Sequence, residues 1–433
     1  MQPRENTLNR RLRSVGGRLL RRYRLLPGGM PDGLGDDEDL QDQALYGDVI
    51  VYFADTMESM YQMRGWYGPL KALHAELGVT VVCMDSRVAE VLRDEMDMPV
   101  VTVALDATLD GLITRSGTKL ILYVNYNPLN TAPLRSRSVI HVSLLHGDSD
   151  KGVSVSNQVK AYDYSFVAGQ AAIDRYARYT SLFDAASRCL PVGRPALDTD
   201  LEQVTLPERQ DERPTVLYAP TWEGGQAAVA YSSLRTHAEA LLRSVQDAGA
   251  RIIYRPHPLT GVRVPEFGAA DRAVRELLAE GGHTLSDDRP LSLDVAEADL
   301  LICDVSAVAN DWLATGKPLL ITTPAEGTAQ EAGTRMLDVL PRLTVQEAPL
   351  AGQLVLEAIS HDPGREERLQ LREYYLGDTT PGASLARFLT TCSELAIQRD
   401  AQWARIAQLS PSAPHSRSPS PSSPAPSSRA TTP

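Results

Sequence analysis

The sequence predicts an α/β protein built from two Rossmann-like domains that face a central cleft, followed by C-terminal helices and a disordered tail. Three observations carry that prediction. Short apolar runs alternate with helical or polar intervals along most of the chain, the pattern of βαβ units on a parallel sheet. The alternation breaks once, in a charged, proline-containing interval between Gly193 and Pro214, and then restarts. At 433 residues the chain has room for about two domains of ordinary size, each with its own core.

Taken in order, residues 1–45 precede the first strand-like run. Residues 10–26 carry seven arginines, while Leu12, Val15, Leu19, Tyr23 and Leu26 recur at nearly helical spacing. Such a basic amphipathic segment suits an anionic membrane surface, its apolar stripe buried and its arginines against headgroups. The alternative is a solvated basic tail, which Gly16 and Gly17 favour by weakening the helix. Residues 31–42, acidic and glycine-containing, read as a flexible linker. Folding is expected from Tyr46, with an N-terminal acceptor domain over 46–200 and strands near 48–54, 79–84, 100–104, 119–124, 139–145 and 164–168. A C-terminal donor-nucleotide domain is expected over 201–390, with strands near 216–219, 251–255, 300–303 and 319–322 and helices near 234–248 and 269–280. Charged, leucine-containing helices follow at 350–359 and 366–375. Residues 384–409 also read as helix, the part from 391 to 409 standing as a terminal element. From Ser410 the composition is almost all Ser, Pro, Ala and Thr, too poor in apolar surface to offset chain entropy, so 410–433 is expected to be disordered.

Composition narrows the function. A net charge of −12 argues against nucleic acid as a partner. The four cysteines are widely separated and form neither a metal-ligand pair nor a disulfide framework, so they read as reduced, buried thiols of a cytoplasmic protein. No apolar run approaches the length of a membrane span, which leaves only peripheral membrane contact.

Four polar constellations each follow a predicted strand. The first runs from His146 through Gly147, Asp148 and Asp150 to Lys151. A strand-end histidine can take a proton from an attacking hydroxyl, and Lys151 can pair with phosphate as a point charge. A strand-end histidine is equally at home as a structural hydrogen-bonder, the reading given to His141 within the strand. The second is Arg255-Pro256-His257-Pro258, where both basic groups can donate to phosphate oxygens, or Arg255 can pair with a carboxylate and His257 cap a turn. The third, from Tyr218 to Gly225, offers the Thr221 hydroxyl and exposed amides, or is an ordinary βα loop. The fourth spans residues 299–322. There a strand, a polar turn and a helix opening at Ser306 place amides of Ser306 and Ala307 at a candidate anion site, with Asp304 and Asp311 as polar candidates and Gly316 ending the helix. Asp311 is suited to ribose hydroxyls or only to the helix dipole, and Trp312 reads as core.

These residues, in order, resemble the CDP-glycerol glycerophosphotransferases of teichoic acid synthesis: His146-Gly147-x-x-x-Lys151, Gly193-x-Pro195-x-x-Asp198, Tyr218-Ala219-Pro220-Thr221-Trp222, Arg255-Pro256-His257-Pro258, Asp304-x-Ser306-x-x-x-x-Asp311 with Lys317-Pro318, and Gly382-Ala383-Ser384 with Arg387. Two departures stand out: Ala196 follows Pro195 where the family usually has arginine, and Val305 and Ala307 replace a tyrosine and a second serine. The resemblance implies a GT-B architecture and transfer of glycerol phosphate, or a related polyol phosphate, from CDP-glycerol or a related CDP-polyol to a lipid-linked acceptor at the inner face of the cell membrane. It implies His146 as general base, with Lys151 and His257 completing the catalytic set. Thr221, Arg255, His257, Asp304, Ser306, Ala307 and Asp311 would hold the donor. No cofactor is expected to be obligatory, although Asp148-x-Asp150 keeps a divalent cation open. Competing readings are a GT-B glycosyltransferase that uses a nucleotide sugar and a catalytically silent binding protein.

Overall fold

The computed structural model describes residues 30–145, 147–151, 156–202, 212–224, 230–287, 289–325, 329 and 333–409. The basic segment 10–26, His146 and the tail 410–433 therefore lie outside the described residues.

Thirteen strands are described: β1 Val49–Phe53, β2 Val79–Cys83, β3 Val100–Thr102, β4 Leu120–Tyr123, β5 Ile140–Ser143, β6 Tyr164–Val167, β7 Cys189–Pro191, β8 Thr215–Ala219, β9 Arg251–Tyr254, β10 Thr284–Leu285, β11 Leu300–Cys303, β12 Leu319–Thr322 and β13 Arg342–Leu343. The helices are α1 Met60–Arg64, α2 Tyr67–Leu77, α3 Ser86–Glu95, α4 Asp106–Ser116, α5 Gln170–Tyr179, α6 Ala185–Arg188, α7 Pro195–Glu202, α8 Ala238–Asp247, α9 Pro265–Leu277, α10 Leu291–Glu297, α11 Ala307–Trp312, α12 Arg335–Val339, α13 Ala351–His361, α14 Arg365–Leu376 and α15 Ala383–Leu409. The strands form two sheets, ordered β3-β2-β1-β4-β5-β6-β7 and β10-β9-β8-β11-β12-β13. Every pairing is parallel. Each order reverses direction once, between β1 and β4 in the first sheet and between β8 and β11 in the second. Crevices that bind ligands in doubly wound sheets lie at such reversals, outside the carboxyl ends of the strands.

Both sheets are covered on both faces, so their strands are apolar throughout rather than alternating. On β1, Val49, Val51 and Phe53 enter one core while Ile50 and Tyr52 enter the other. In the second sheet Leu217, Leu301 and Ile321 pack with Trp312 and Tyr375, and Val216, Ile252 and Leu300 pack with Leu241 and Val355. Trp312 is fully buried, as read from the sequence. All four cysteines are buried and unpaired. Among the described residues no helix is long and apolar enough to cross a membrane.

The sequence reading is corrected in three places. Residues 31–42 are packed rather than a flexible linker: Asp32 accepts from the Ser86 hydroxyl at the start of α3, Asp37 accepts from the amides of Ala104 and Leu105 ahead of α4, and Leu40 is buried in the first domain. The acidic residues that suggested a solvated linker are used to satisfy amides and a hydroxyl near helix starts. Pro195 begins α7 instead of opening an irregular link, consistent with the preorganised φ of proline at a first helical position. The edge strands β7, β10 and β13 are only two or three residues long and lack the apolar run by which the other strands were found.

The long last helix returns to the first sheet. Phe388, Cys392 and Leu395 of α15 are buried with Val51, Phe53 and Trp66. Its start is clamped by motif residues: Asp198 accepts the Leu385 amide at 2.8 Å and Ser384 donates to the Val192 carbonyl at 2.9 Å. Gly193, at φ 83°, lies so close to Ser384 that no side chain fits.

Candidate active site

At the reversal of the second sheet, Asp304 follows β11 and Thr221 follows β8. Asp304 is fully buried and accepts from the Thr221 amide at 2.7 Å, the Ser233 amide at 3.2 Å and the Thr322 hydroxyl at 2.5 Å. It is a strut that ties three strand ends together, and not a donor ligand as the sequence suggested. Burial raises its pKa, and these donors pull it back toward the charged form. The Thr221 hydroxyl accepts from Lys151 Nζ at 2.8 Å, so the cation of the first domain's motif reaches the second domain's turn. Lys151 also lies 5.7 Å from the Tyr231 ring centroid. Burial brings its pKa down to about 8, against the opposing charge of Asp304.

On the far side of β11, Ser306 adopts an extended N-cap conformation at the start of α11, but its side chain makes no capping bond. Its hydroxyl oxygen is buried without a hydrogen-bond partner. One turn later both amide atoms of Asn310 are buried and equally unpartnered. Buried polar atoms of this kind are expensive unless something completes them. Ala307 faces Gly147: a Cβ built on the glycine would stand 2.9 Å from the Ala307 methyl, which is closer than side chains tolerate. Asp311, expected to meet the nucleoside or glycerol, is gripped by Arg194, whose Nε and guanidinium nitrogen lie 2.7 and 3.1 Å from its two oxygens. That fork joins the β7–α7 turn of the first domain to α11 of the second, with both side chains largely buried.

His257 follows β9. Its Nδ1 accepts the Leu259 amide at 3.1 Å, which puts the proton of the neutral ring on Nε2. The ring stacks on Trp222, with centroids 6.1 Å apart and planes at 22°, and meets Tyr61 of the first domain edge-on at 5.8 Å. Glu223 accepts from the amides of Gly261, Arg263 and Val264 and so fixes the loop after the histidine. Arg255 turns away, contrary to the donor-binding role expected of it. It donates to Asp294 at 2.8 Å, to the Ser286 hydroxyl and to the Arg289 carbonyl, because the buried Asp294 carboxylate requires a counter-charge.

In the first domain, Leu145 is held at φ 58°, a conformation that costs a non-glycine residue about 1 kcal/mol or more. Trp66 Nε1 donates to its carbonyl at 2.9 Å, so the residue that precedes α2 pins the backbone at Leu145. Asp148 and Asp150, the carboxylates that kept a cation open, are both paired with the buried Arg175, and Asp150 also accepts from Tyr375 at 2.6 Å. Among the described residues no group of three His, Cys, Asp or Glu is arranged to hold a metal.

The geometry thus brings Lys151, Thr221, Ser306, Ala307, Asp311 and His257 to the carboxyl ends of the two sheets, and sends Asp304 and Arg255 into supporting roles. Arg194, Tyr61 and Trp222 also belong to the site. Arg194 carried a signal, its place inside the Gly-x-Pro motif, whereas Tyr61 lies in no strand-end motif.

Comparison with known proteins follows the same lines. The model of the CDP-glycerol:poly(glycerophosphate) glycerophosphotransferase family matches residues 128–334. No curated protein matches the chain in sequence. Among solved structures, the wall teichoic acid polymerase TagF superposes with a TM-score of 0.52 at 14% identity, covering 91% of this chain and 98% of that one. A glycosyltransferase from Rickettsia africae ESF-5 gives 0.51 at 11% identity, over 80% and 98%. A UDP-N-acetylglucosamine 2-epimerase, described as putative, from Listeria monocytogenes gives 0.51 at 12% identity, over 78% and 93%. At such identities the likeness is one of fold, and that fold is GT-B. The matched residues contain the motifs from Lys151 to Asp311, and it is over this stretch that the chain is similar to the CDP-glycerol:poly(glycerophosphate) glycerophosphotransferase family.

Proposed function

We propose that this enzyme transfers glycerol phosphate, or a related polyol phosphate, from CDP-glycerol to a hydroxyl of a lipid-linked acceptor at the inner membrane face, in synthesis of a teichoic-acid-like polymer. The acceptor oxygen attacks the phosphorus that bears the glycerol, the bond to the bridging oxygen breaks, and CMP leaves. His146 takes the hydroxyl proton. Lys151 and His257 Nε2–H offset charge on the phosphates, and the unpartnered Ser306 hydroxyl and Asn310 amide give the donor further hydrogen bonds. Transfer of this kind depends on alignment and charge neutralisation more than on covalent help from the protein.

The observation that supports this reading is the Lys151–Thr221 hydrogen bond, which brings Lys151 of the first domain onto the turn after β8 in the second. The reading is tested by CMP release from CDP-glycerol, with acceptor lipid in anionic vesicles and EDTA present. His146→Ala and His257→Ala are each expected to slow turnover by roughly 100-fold, the scale of a lost acid–base or charge-stabilising group. Full activity in both variants, or activity that vanishes on chelation, would require a different mechanism.

A further inference from the structure

The reversal of the first sheet holds a polar cluster that none of the sequence motifs touches. Asp55 stands two residues beyond β1 and Asn125 two residues beyond β4, the neighbouring strands at which the order turns. Asn125, buried, donates one amide proton to Asp55 at 2.8 Å and the other to Gln62 of α1 at 2.6 Å. Asp55 and Gln62 remain partly exposed. The Asp55 carboxylate takes one further proton, from the Thr56 amide, which leaves about two of its four acceptor positions for a ligand. Gln62 gives one amide proton to the Tyr61 hydroxyl and carries a second. Tyr61 in turn meets His257.

We infer that Asp55, Gln62 and Asn125 form a subsite for the hydroxyl groups of a neutral polyol, the terminal unit of the acceptor, beside the reacting phosphate. A hydroxyl both donates and accepts, and a carboxylate next to an amide N–H answers both needs, so a vicinal diol is met twice. Phosphate is poorly served: the cluster presents a carboxylate, and Arg64 of the same helix is turned to Glu95. Asn125 is a positioning residue that holds the other two at fixed separation. The inference rests on the proposed transferase reading, because it supplies the acceptor side that the donor-side motifs lack.

The test measures two affinities by calorimetry, one for a soluble glycerol phosphate oligomer and one for CDP-glycerol, in wild type, Asp55→Asn and Gln62→Ala. Both substitutions are expected to weaken oligomer binding by about 10-fold, the scale of one hydrogen bond to a charged or amide group, with CDP-glycerol affinity and melting temperature unchanged. Unaltered oligomer binding in both variants, no oligomer binding by wild type, or an equal loss of donor affinity would overturn the subsite. If Asp55→Asn fails to fold, Gln62→Ala, at a partly exposed position, decides. A wild type that binds the oligomer but neither binds CDP-glycerol nor releases CMP would contradict the transferase reading and leave the polyol subsite standing.

Discussion

Lys151 shows how one side chain links burial to chemistry. Its ammonium is held between Thr221 and Tyr231 in a site dry enough to depress its pKa to about 8. The charge is therefore present below that pH and is lost as pH rises through it, so kcat/KM is expected to fall along an alkaline limb near pH 8. Lys151→Arg, whose guanidinium stays protonated, should move that limb to higher pH. A limb at the same pH in the arginine variant would assign it to another group. At this scale the sequence was half legible. Strand-end position puts Thr221, His257 and Ser306 just beyond β8, β9 and β11, where the structure has them, because the carboxyl edge of a parallel strand is readable from its apolar run. It does not say which way a side chain turns there. Asp304 turns inward for donors that lie 83, 71 and 18 residues away in sequence, and no local pattern announces them.

At the scale of elements, Gly147 lies against the start of α11. The Ala307 methyl leaves no room for a side chain at position 147. Gly147→Ala is expected to cost roughly 1 to 3 kcal/mol of overpacking between the domains and to lower kcat/KM by about 10-fold or more. Ala307→Gly in the same chain should restore activity, measured as CMP release; failure of the rescue would show that the glycine serves another purpose. The strands with four or more apolar residues were all legible. The short edge strands β7, β10 and β13 were not, since their pairing is dictated by neighbours already in the sheet. The helical period of α15 was also visible, but not its partner, because Phe388, Cys392 and Leu395 make an apolar stripe that would fit either sheet.

Over the whole molecule, specific contacts tie the two halves together, among them Lys151 on Thr221, Arg194 on Asp311, Tyr61 on His257, Tyr375 on Asp150, and α15 crossing back. The facing of two Rossmann-like sheets was foreseeable from the restart of the strand alternation after Gly193. The contacts themselves were not, because each pairs residues far apart in sequence. They bring the reversal points of the two sheets together, with the Asp55–Gln62–Asn125 cluster on one side and the turns that carry Thr221 and His257 on the other. The claim that this crevice serves a CDP-polyol is tested most directly by incubating the wild-type enzyme with acceptor and a panel of CDP-glycerol, CDP-ribitol, UDP-sugars and GDP-sugars, and measuring the nucleotide released. The account predicts CMP from a CDP-polyol, with the sugar nucleotides left intact. Turnover of a sugar nucleotide alone, with UDP or GDP as product, would contradict it.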